Sequence, residues 1–359
     1  MGRCIRPSGC DNLARMLIAL DAEHTRQSNA GIARYGRSLA ASLREIPDLI
    51  VRELGGGDVV PRGTLQKRLL TARHDLIWYP WFARREAARI GADVYHSPLL
   101  RGPLRRGRPP FVMTVHDLVP VRWPETMPRW HRSYTARFIG RMLDAADRII
   151  APSQDTANDL NALLKVPASK IRVVPNGVDA LFFGPAVRAS VERPPYVLFV
   201  GTPEPRKNLS RLISAMTILR GRGRPENLLI VGAGGWGDGI TAAPGIQQAG
   251  RVTDDELHTL YADACCLALP SLHEGFGLPA LEAMAAGTPV VAGSSGALPE
   301  VTGGAAVLVD PLSAAAIADG IEEAIAEREW LVPMGRVRAK EFTWDRAAAL
   351  TADVYRELV

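Results

Sequence analysis

The chain has 359 residues, enough for two domains of ordinary size. Hydrophobic residues make up 47% and charged residues 23%, which excludes a disordered chain, and no apolar run approaches the ~18 residues needed to span a bilayer. The formal net charge of +5 favours anionic partners, which on charge alone means a nucleotide diphosphate, a phospholipid surface or nucleic acid.

Cys4, Cys10, Cys265 and Cys266 form neither a C-x-x-C pair nor a zinc pattern, and the apolar run at residues 16–20 is too short for a signal peptide. A cytoplasmic setting is the expectation, with any membrane contact peripheral.

Residues 1–12 lack periodicity and read as a loose extension. Residues 15–21 form a short apolar run ending in Asp21, the mark of a buried strand, and residues 32–43 repeat their apolar positions at helical spacing. Strand-like runs recur at 93–97, 111–115 and 148–152. The helix expected over 128–146 carries Trp130, Tyr134, Phe138 and Met142 at four-residue steps among Arg129, Arg132, Arg137 and Arg141. Such a stripe either packs on its own sheet or docks on an anionic membrane. Turn residues crowd 175–195, the expected linker. A second series follows, with strands at 196–200, 228–231, 265–269 and 289–292 alternating with helices at 208–219, 254–262 and 279–286. Helices at 314–326 and 344–359 close the chain. Alternating strands and helices predict parallel α/β sheets, here in two consecutive doubly wound domains, with ligands at the carboxyl ends of the strands.

The segment from Leu269 to Ala283 is the richest in chemistry. Pro279 belongs in the first turn of a helix, so Glu274 falls in the loop leaving a strand and Glu282 in the opening turn. Gly275 and Gly277 between them let backbone approach a ligand, and the amides at the helix start suit a phosphate. Arg206 and Lys207, in the loop after strand 196–200, place positive charge at the same sheet edge. His116-Asp117 ends a first-domain strand and is a candidate for the cleft. Gly31 follows the first strand and offers another close backbone approach.

Two absences matter. The G-x-G-x-x-G match at Gly232-Ala233-Gly234-Gly235-Trp236-Gly237 is followed by a poor helical stretch with Pro244, which argues against a dinucleotide site. No D-x-D occurs, so the usual acidic clamp for a metal-bridged diphosphate is missing.

The order Val174-Pro175-Asn176-Gly177-Val178-Asp179, the loop 201–208, Gly250-Arg251-Val252, Glu274 to Glu282, Gly287-Thr288-Pro289-Val290-Val291-Ala292 and Leu298-Pro299-Glu300-Val301 resembles glycosyltransferase family four. Gly31-Ile32-Ala33-Arg34-Tyr35 and Thr114-Val115-His116-Asp117-Leu118 are similar to it in the first half. The resemblance implies a GT-B fold: two Rossmann-like, doubly wound α/β domains facing a central cleft. It divides the chain into an acceptor domain over 1–185, a donor domain over 186–343, and a last helix over 344–359 crossing back to the first domain.

The resemblance also implies roles. Arg206 and Lys207 hold the donor diphosphate, Glu274 the sugar hydroxyls and Glu282 the ribose. The backbone of Gly275, Phe276, Gly277 and Leu278 holds phosphate and sugar, Val252 and Leu298 lie near the base, and His116 lies beside the transferred sugar. Gly31 contributes near the phosphate or acceptor, although Ala30 stands where many relatives carry a second glycine. The implied reaction is retaining hexosyl transfer without metal or cofactor, with attack on the face the phosphate leaves and no protein nucleophile. GDP-mannose is the expected donor, with UDP-glucose and dTDP-rhamnose as alternatives, and the acceptor is a glycan or lipid-linked sugar of cell-surface polysaccharide or glycolipid assembly. No nucleic-acid partner is implied. The rival class is a nucleotide-sugar epimerase on the same architecture.

Overall fold

The computed structural model describes residues 15–22, 31–55, 73–124, 129–186, 193–232 and 244–359. Six strands form the first sheet: β1 (Met16–Asp21), β2 (Leu49–Leu54), β3 (Val94–Ser97), β4 (Phe111–Thr114), β5 (Arg148–Ala151) and β6 (Ile171–Val173), in the order β2-β1-β3-β4-β5-β6. Six more form the second: β7 (Tyr196–Val200), β8 (Asn227–Val231), β9 (Ile246–Gly250), β10 (Cys266–Leu269), β11 (Val290–Gly293) and β12 (Val307–Val309), in the order β12-β11-β10-β7-β8-β9. Every pairing is parallel. Parallel neighbours need crossovers, and the covering helices bury both faces of strands such as β3, β4, β7 and β10 along their whole length. That is why these strands read as continuous apolar runs.

The elements that sequence patterning passes over are those with weak signals. β9 carries exposed Gln247 and Gln248 at the sheet edge. The helix Arg328–Ala339 contains Pro333, and the π-helix His74–Phe82 contains Pro80. The helix Gln154–Leu164 did carry a start signal, Ser153, whose hydroxyl caps it by accepting from the Thr156 amide at 3.1 Å.

The helix Arg129–Ala145 turns the described part of its stripe inward, the side chains of Arg129 and Trp130 lying outside the described residues. Tyr134 and Met142 are buried and Phe138 packs against the same first-domain core, leaving Arg132, Arg137 and Arg141 exposed. These aromatics therefore build core and cannot also be a docking face.

The last helix, Trp344–Arg356, belongs to the core of the first sheet. Thr343 caps it, and Trp344, Ala348, Ala352 and Tyr355 join Ile18, Leu39, Val94 and Ile150 in one buried cluster. Tyr355 Oη lies 2.6 Å from Nδ1 of buried His96 on β3, and Arg148 and Arg172 both clasp Glu357 at 2.7 Å. Each fully buried large apolar side chain stabilises by about 1.5–3 kcal/mol, so this helix is a substantial part of the first domain's stability. Where the chain crosses, the Val178 amide donates to Phe342 O at 2.9 Å, and a Cβ on Gly177 would lie 2.3 Å from the Trp344 nitrogen.

Candidate functional site

In the second sheet the chain runs from β7 outward to β8 and β9, then returns to place β10 on the other side of β7. This reversal opens a crevice between the carboxyl ends of β7 and β10. The loop after β7 delivers Arg206 and Lys207 on a 3₁₀ turn, and the loop after β10 delivers Glu274. Asn208 ties the loops together. It adopts a left-handed conformation, φ 60°, while its side-chain amide donates to Pro270 O at 2.9 Å and Pro311 O at 2.6 Å.

The three charged groups meet directly. Glu274 Oε1 accepts from Lys207 Nζ and from Ser271 Oγ, each at 2.6 Å, and Oε2 accepts from Arg206 Nη1 at 2.8 Å. Arg206 also donates to His273 O at 2.7 Å and to Glu204 at 2.5 Å. Burial alone would raise the Glu274 carboxyl, but Lys207 and Arg206 outweigh it and hold the group down at about 2. It is a clamped, weakly basic carboxylate.

Glu282 sits differently. The helix Leu278–Ala286 starts from Gly277 in a left-handed conformation, φ 103°, with Pro279 at its second position. Glu282 is therefore the fifth helical residue, beyond the opening turn expected from Pro279, and complementing the helix dipole is not its role. It is 3% exposed, and its carboxylate accepts from Tyr261 Oη at 3.0 Å and from Arg34 of the first domain, which also pairs with Asp254. Burial pushes the Glu282 carboxyl up, against the pull of Arg34 and Tyr261. The two glutamates have opposite electrostatics.

The glycines divide likewise. A Cβ on Gly275 would lie 1.9 Å from the His116 carbonyl oxygen, and Gly275 O accepts from Ser153 Oγ at 2.7 Å and Thr156 Oγ1 at 3.2 Å. In this closed arrangement the freedom of Gly275 serves approach of the other domain, where a ligand contact was expected. A Cβ on Gly277 would meet Leu298 at 2.7 Å. Gly31 opens the helix Gly31–Arg44 with nothing within 4 Å of a Cβ, so no close approach occurs there among the described residues. Gly232, the first glycine of the rejected dinucleotide motif, follows β8, and a Cβ there would lie 2.1 Å from Gly201 O; residues 233–243 lie outside the described residues.

His116 reaches the interface through its backbone, while its ring Nε2 lies 3.0 Å from Pro98 O. A carbonyl can only accept, so Nε2 carries the proton. Burial lowers the imidazole, which leaves it neutral with Nδ1 as an acceptor. Tyr35 meets the ring edge-on at 4.6 Å. Phe276 and Leu298 are buried in the second-domain core, and Val252 and Leu278 pack half-buried against it.

The structure thus brings Arg206, Lys207 and Glu274 into contact and lays His116 against Gly275. Sequence reading gave no role to Arg34, Tyr261, Ser153 or Thr156. A lone arginine one turn into an amphipathic helix carries no signal of a partner 248 residues away.

Two Rossmann-like parallel sheets joined across a cleft, with a crevice of clustered cations and carboxylates at a strand-order reversal, define a two-domain GT-B glycosyltransferase architecture. The sequence pattern of "Glycosyltransferase Family 4" matches residues 31–181 and that of "Glycosyl transferases group 1" matches residues 185–337. The chain is 32% identical over 288 residues to the O-antigen chain mannosyltransferase B of Escherichia coli, covering 74% of each chain. It is 32% identical over 389 residues to the D-inositol 3-phosphate glycosyltransferase of Salinispora tropica, covering 94% of this chain and 79% of that one. Its fold is that of the Anabaena protein HepE, solved in complex with UDP and glucose, at TM-score 0.69 and 17% identity over 96% of this chain and all of that one. The protein belongs to glycosyltransferase family four.

Proposed function

We propose that the chain is a retaining hexosyltransferase that moves mannose from GDP-mannose to a glycan or lipid-linked acceptor in cell-surface polysaccharide or glycolipid assembly. The observation that carries this reading is the convergence of Arg206 and Lys207 on Glu274 at the β7–β10 crevice. Two cations fixed beside one carboxylate can face a diphosphate with positive charge and sugar hydroxyls with negative charge. Glu282, beyond the helix start, accepts from ribose hydroxyls once Arg34 gives way. The mannose choice is supported by the similarity to the E. coli mannosyltransferase.

The electrostatics favour holding over proton transfer. A carboxylate kept near 2 is a poor general base, so Glu274 orients the sugar. The bond from the anomeric carbon to the phosphate oxygen breaks as the acceptor oxygen attacks from the same face. The acceptor proton passes to the departing phosphate, and Arg206 and Lys207 stabilise its developing charge. His116 lies beside the transferred sugar, with Nδ1 available to a hydroxyl. No metal is needed at the diphosphate.

Peripheral membrane contact is part of the proposal. No described helix is long and apolar enough to cross a membrane. Leu76, Ile77, Trp81 and Phe82 are 41–49% exposed on the π-helix, with the Arg105 and Arg85 guanidiniums 5.9 and 6.0 Å from the Trp81 and Phe82 rings. An apolar face edged with arginines suits an anionic bilayer.

The test is a thermal-shift screen against GDP-mannose, UDP-glucose and dTDP-rhamnose, followed by product analysis with and without a glycan acceptor. Stabilisation by GDP-mannose and acceptor-dependent release of GDP are expected, undiminished by EDTA. Conversion of the donor without acceptor would make the chain an epimerase, and selective stabilisation by another nucleotide sugar would overturn the donor.

A further inference from the structure

A second polar cluster lies across the domain interface and is not used by the proposed reaction. Asp155 and Asp159 stand one turn apart on the helix Gln154–Leu164 of the first domain, and so share a face. His273 faces them from the β10 loop of the second domain, one residue before Glu274. Its Nε2 lies 3.7 Å from Asp155 Oδ2 and 3.8 Å from Asp159 Oδ2, and all three atoms fall within 4.8 Å of one another. Those distances are too long for hydrogen bonds.

Among the described residues the two carboxylate oxygens have no hydrogen-bond partner although both atoms are buried, and Asp159 as a residue is only 5% exposed. Leaving buried carboxylate oxygens unpaired is costly, so such oxygens call for an explanation. Arg122 does not supply it, because it binds the other oxygen of Asp159, Oδ1, at 2.5 Å. Nor does local charge balance. Glu300 adds a third carboxylate, accepting from the Gln154 and Asp155 amides at 2.9 and 3.3 Å. Among the described residues, Arg122 is the guanidinium that pairs with an aspartate of this cluster, against the carboxylates of Asp155, Asp159 and nearby Glu300.

We infer that Asp155, Asp159 and His273 form an interdomain site for a divalent transition-metal cation, zinc by preference. A cation about 2.1 Å from each of three ligands in tetrahedral array spaces them roughly 3.4 Å apart, near the 3.7 and 3.8 Å from His273 Nε2 to the two aspartate oxygens, and all three atoms lie within 4.8 Å. One imidazole with two carboxylates is a donor set for zinc and its first-row neighbours, whereas magnesium and calcium take oxygen alone. Arg122 on Oδ1 becomes the outer partner that orients Asp159 and leaves Oδ2 to the metal. Two ligands come from one domain and one from the other, so binding fastens the closed arrangement. The site adjoins Arg206, which donates to His273 O at 2.7 Å, but its ligand atoms are distinct from the Arg206–Lys207–Glu274 contacts and it does not depend on the transferase reading.

The experiment uses the full chain stripped with a chelator and titrated with Co²⁺ and Zn²⁺, with no donor present. One equivalent of Co²⁺ giving the visible band of a tetrahedral centre is expected, and Zn²⁺ raises the unfolding midpoint by roughly 3–6 °C. Both effects disappear in His273→Ala and Asp159→Asn. Asp155→Asn, at a half-exposed side chain, weakens binding at least tenfold and keeps the test valid if the buried variants fail to fold. Absence of stoichiometric binding in the parent overturns the inference, as does binding that survives in His273→Ala or is unchanged in Asp155→Asn.

Discussion

Arg34, on the first helix of the first domain, forms an ion pair with Glu282, buried in the second, and the same guanidinium reaches exposed Asp254. Under the proposed function a donor ribose takes the place of this arginine at Glu282. Arg34→Ala leaves Glu282 buried with Tyr261 as its remaining side-chain partner among the described residues. The Glu282 carboxyl already lies above its ordinary value through burial, and losing Arg34 raises it further. A raised carboxyl favours folding while protonated, and that stability fades as pH climbs past the unfolded value. The Arg34→Ala penalty is therefore expected to be small near pH 4 and to grow to about 2–3 kcal/mol by pH 8. Denaturant unfolding of parent and variant at the two pH values checks it.

Glu274 has the opposite sign. Its carboxyl is depressed to about 2, so its contribution is fully present above the unfolded value and is lost as pH falls toward 2. The window is worth on the order of 3 kcal/mol. Glu274→Gln should remove that part of the acid limb, leaving a shallower loss of stability below pH 4.5 in acid-unfolding curves.

Lys207→Ala removes one of the two cations proposed to face the diphosphate while Arg206 still holds Glu274. We expect kcat/KM to fall by roughly 10²–10³. The unfolding midpoint should show that the chain remains folded at assay temperature. Initial rates with saturating acceptor measure the effect, and turnover near that of the parent would remove Lys207 from the mechanism.

Gly275→Ala tests closure. Its Cβ would collide with His116 O, a backbone atom that cannot move alone, so the domains must part. The hydrogen bonds from Ser153 and Thr156 to Gly275 O are lost with the separation. A larger radius of gyration in solution scattering and loss of transfer are expected, with near-normal helix content by circular dichroism.

For the membrane, flotation with anionic liposomes should depend on Trp81 and Phe82. Trp81→Ser with Phe82→Ser is expected to reduce bound protein at least fivefold, since each exposed aromatic contributes about 1.5–3 kcal/mol on burial. Arg85→Gln with Arg105→Gln should weaken only the salt-sensitive part. Equal flotation of the double-serine variant and its parent would dismiss this face.

The parallel α/β order was legible because strands buried on both sides are uninterrupted apolar runs, as in residues 196–200 and 266–269. The crevice was legible in outline because loops after parallel strands share one edge, so Arg206, Lys207 and Glu274 could be placed together before their contacts were seen. What stayed hidden depends on the two domains meeting. Arg34 looks like a surface residue of an amphipathic helix, His273 like a lone histidine, and Gly275 like a ligand-facing glycine. Each takes its meaning from a partner in the other half. The stripe of Tyr134 and Met142 had two readings until burial chose the core.

The placement of Trp344 and Tyr355 has a consequence for how the protein is made. The first sheet is synthesised early, yet one flank of its core waits for residues near the end of the chain. At typical elongation rates the ribosome needs roughly 10–35 s to travel from residue 181 to residue 355. During that interval Ile18, Leu39, Val94 and Ile150 lack their cover, so the nascent first domain presents an apolar groove. Chaperone dependence and sensitivity to lesions in the last helix should therefore appear as misfolding of the first half of the protein.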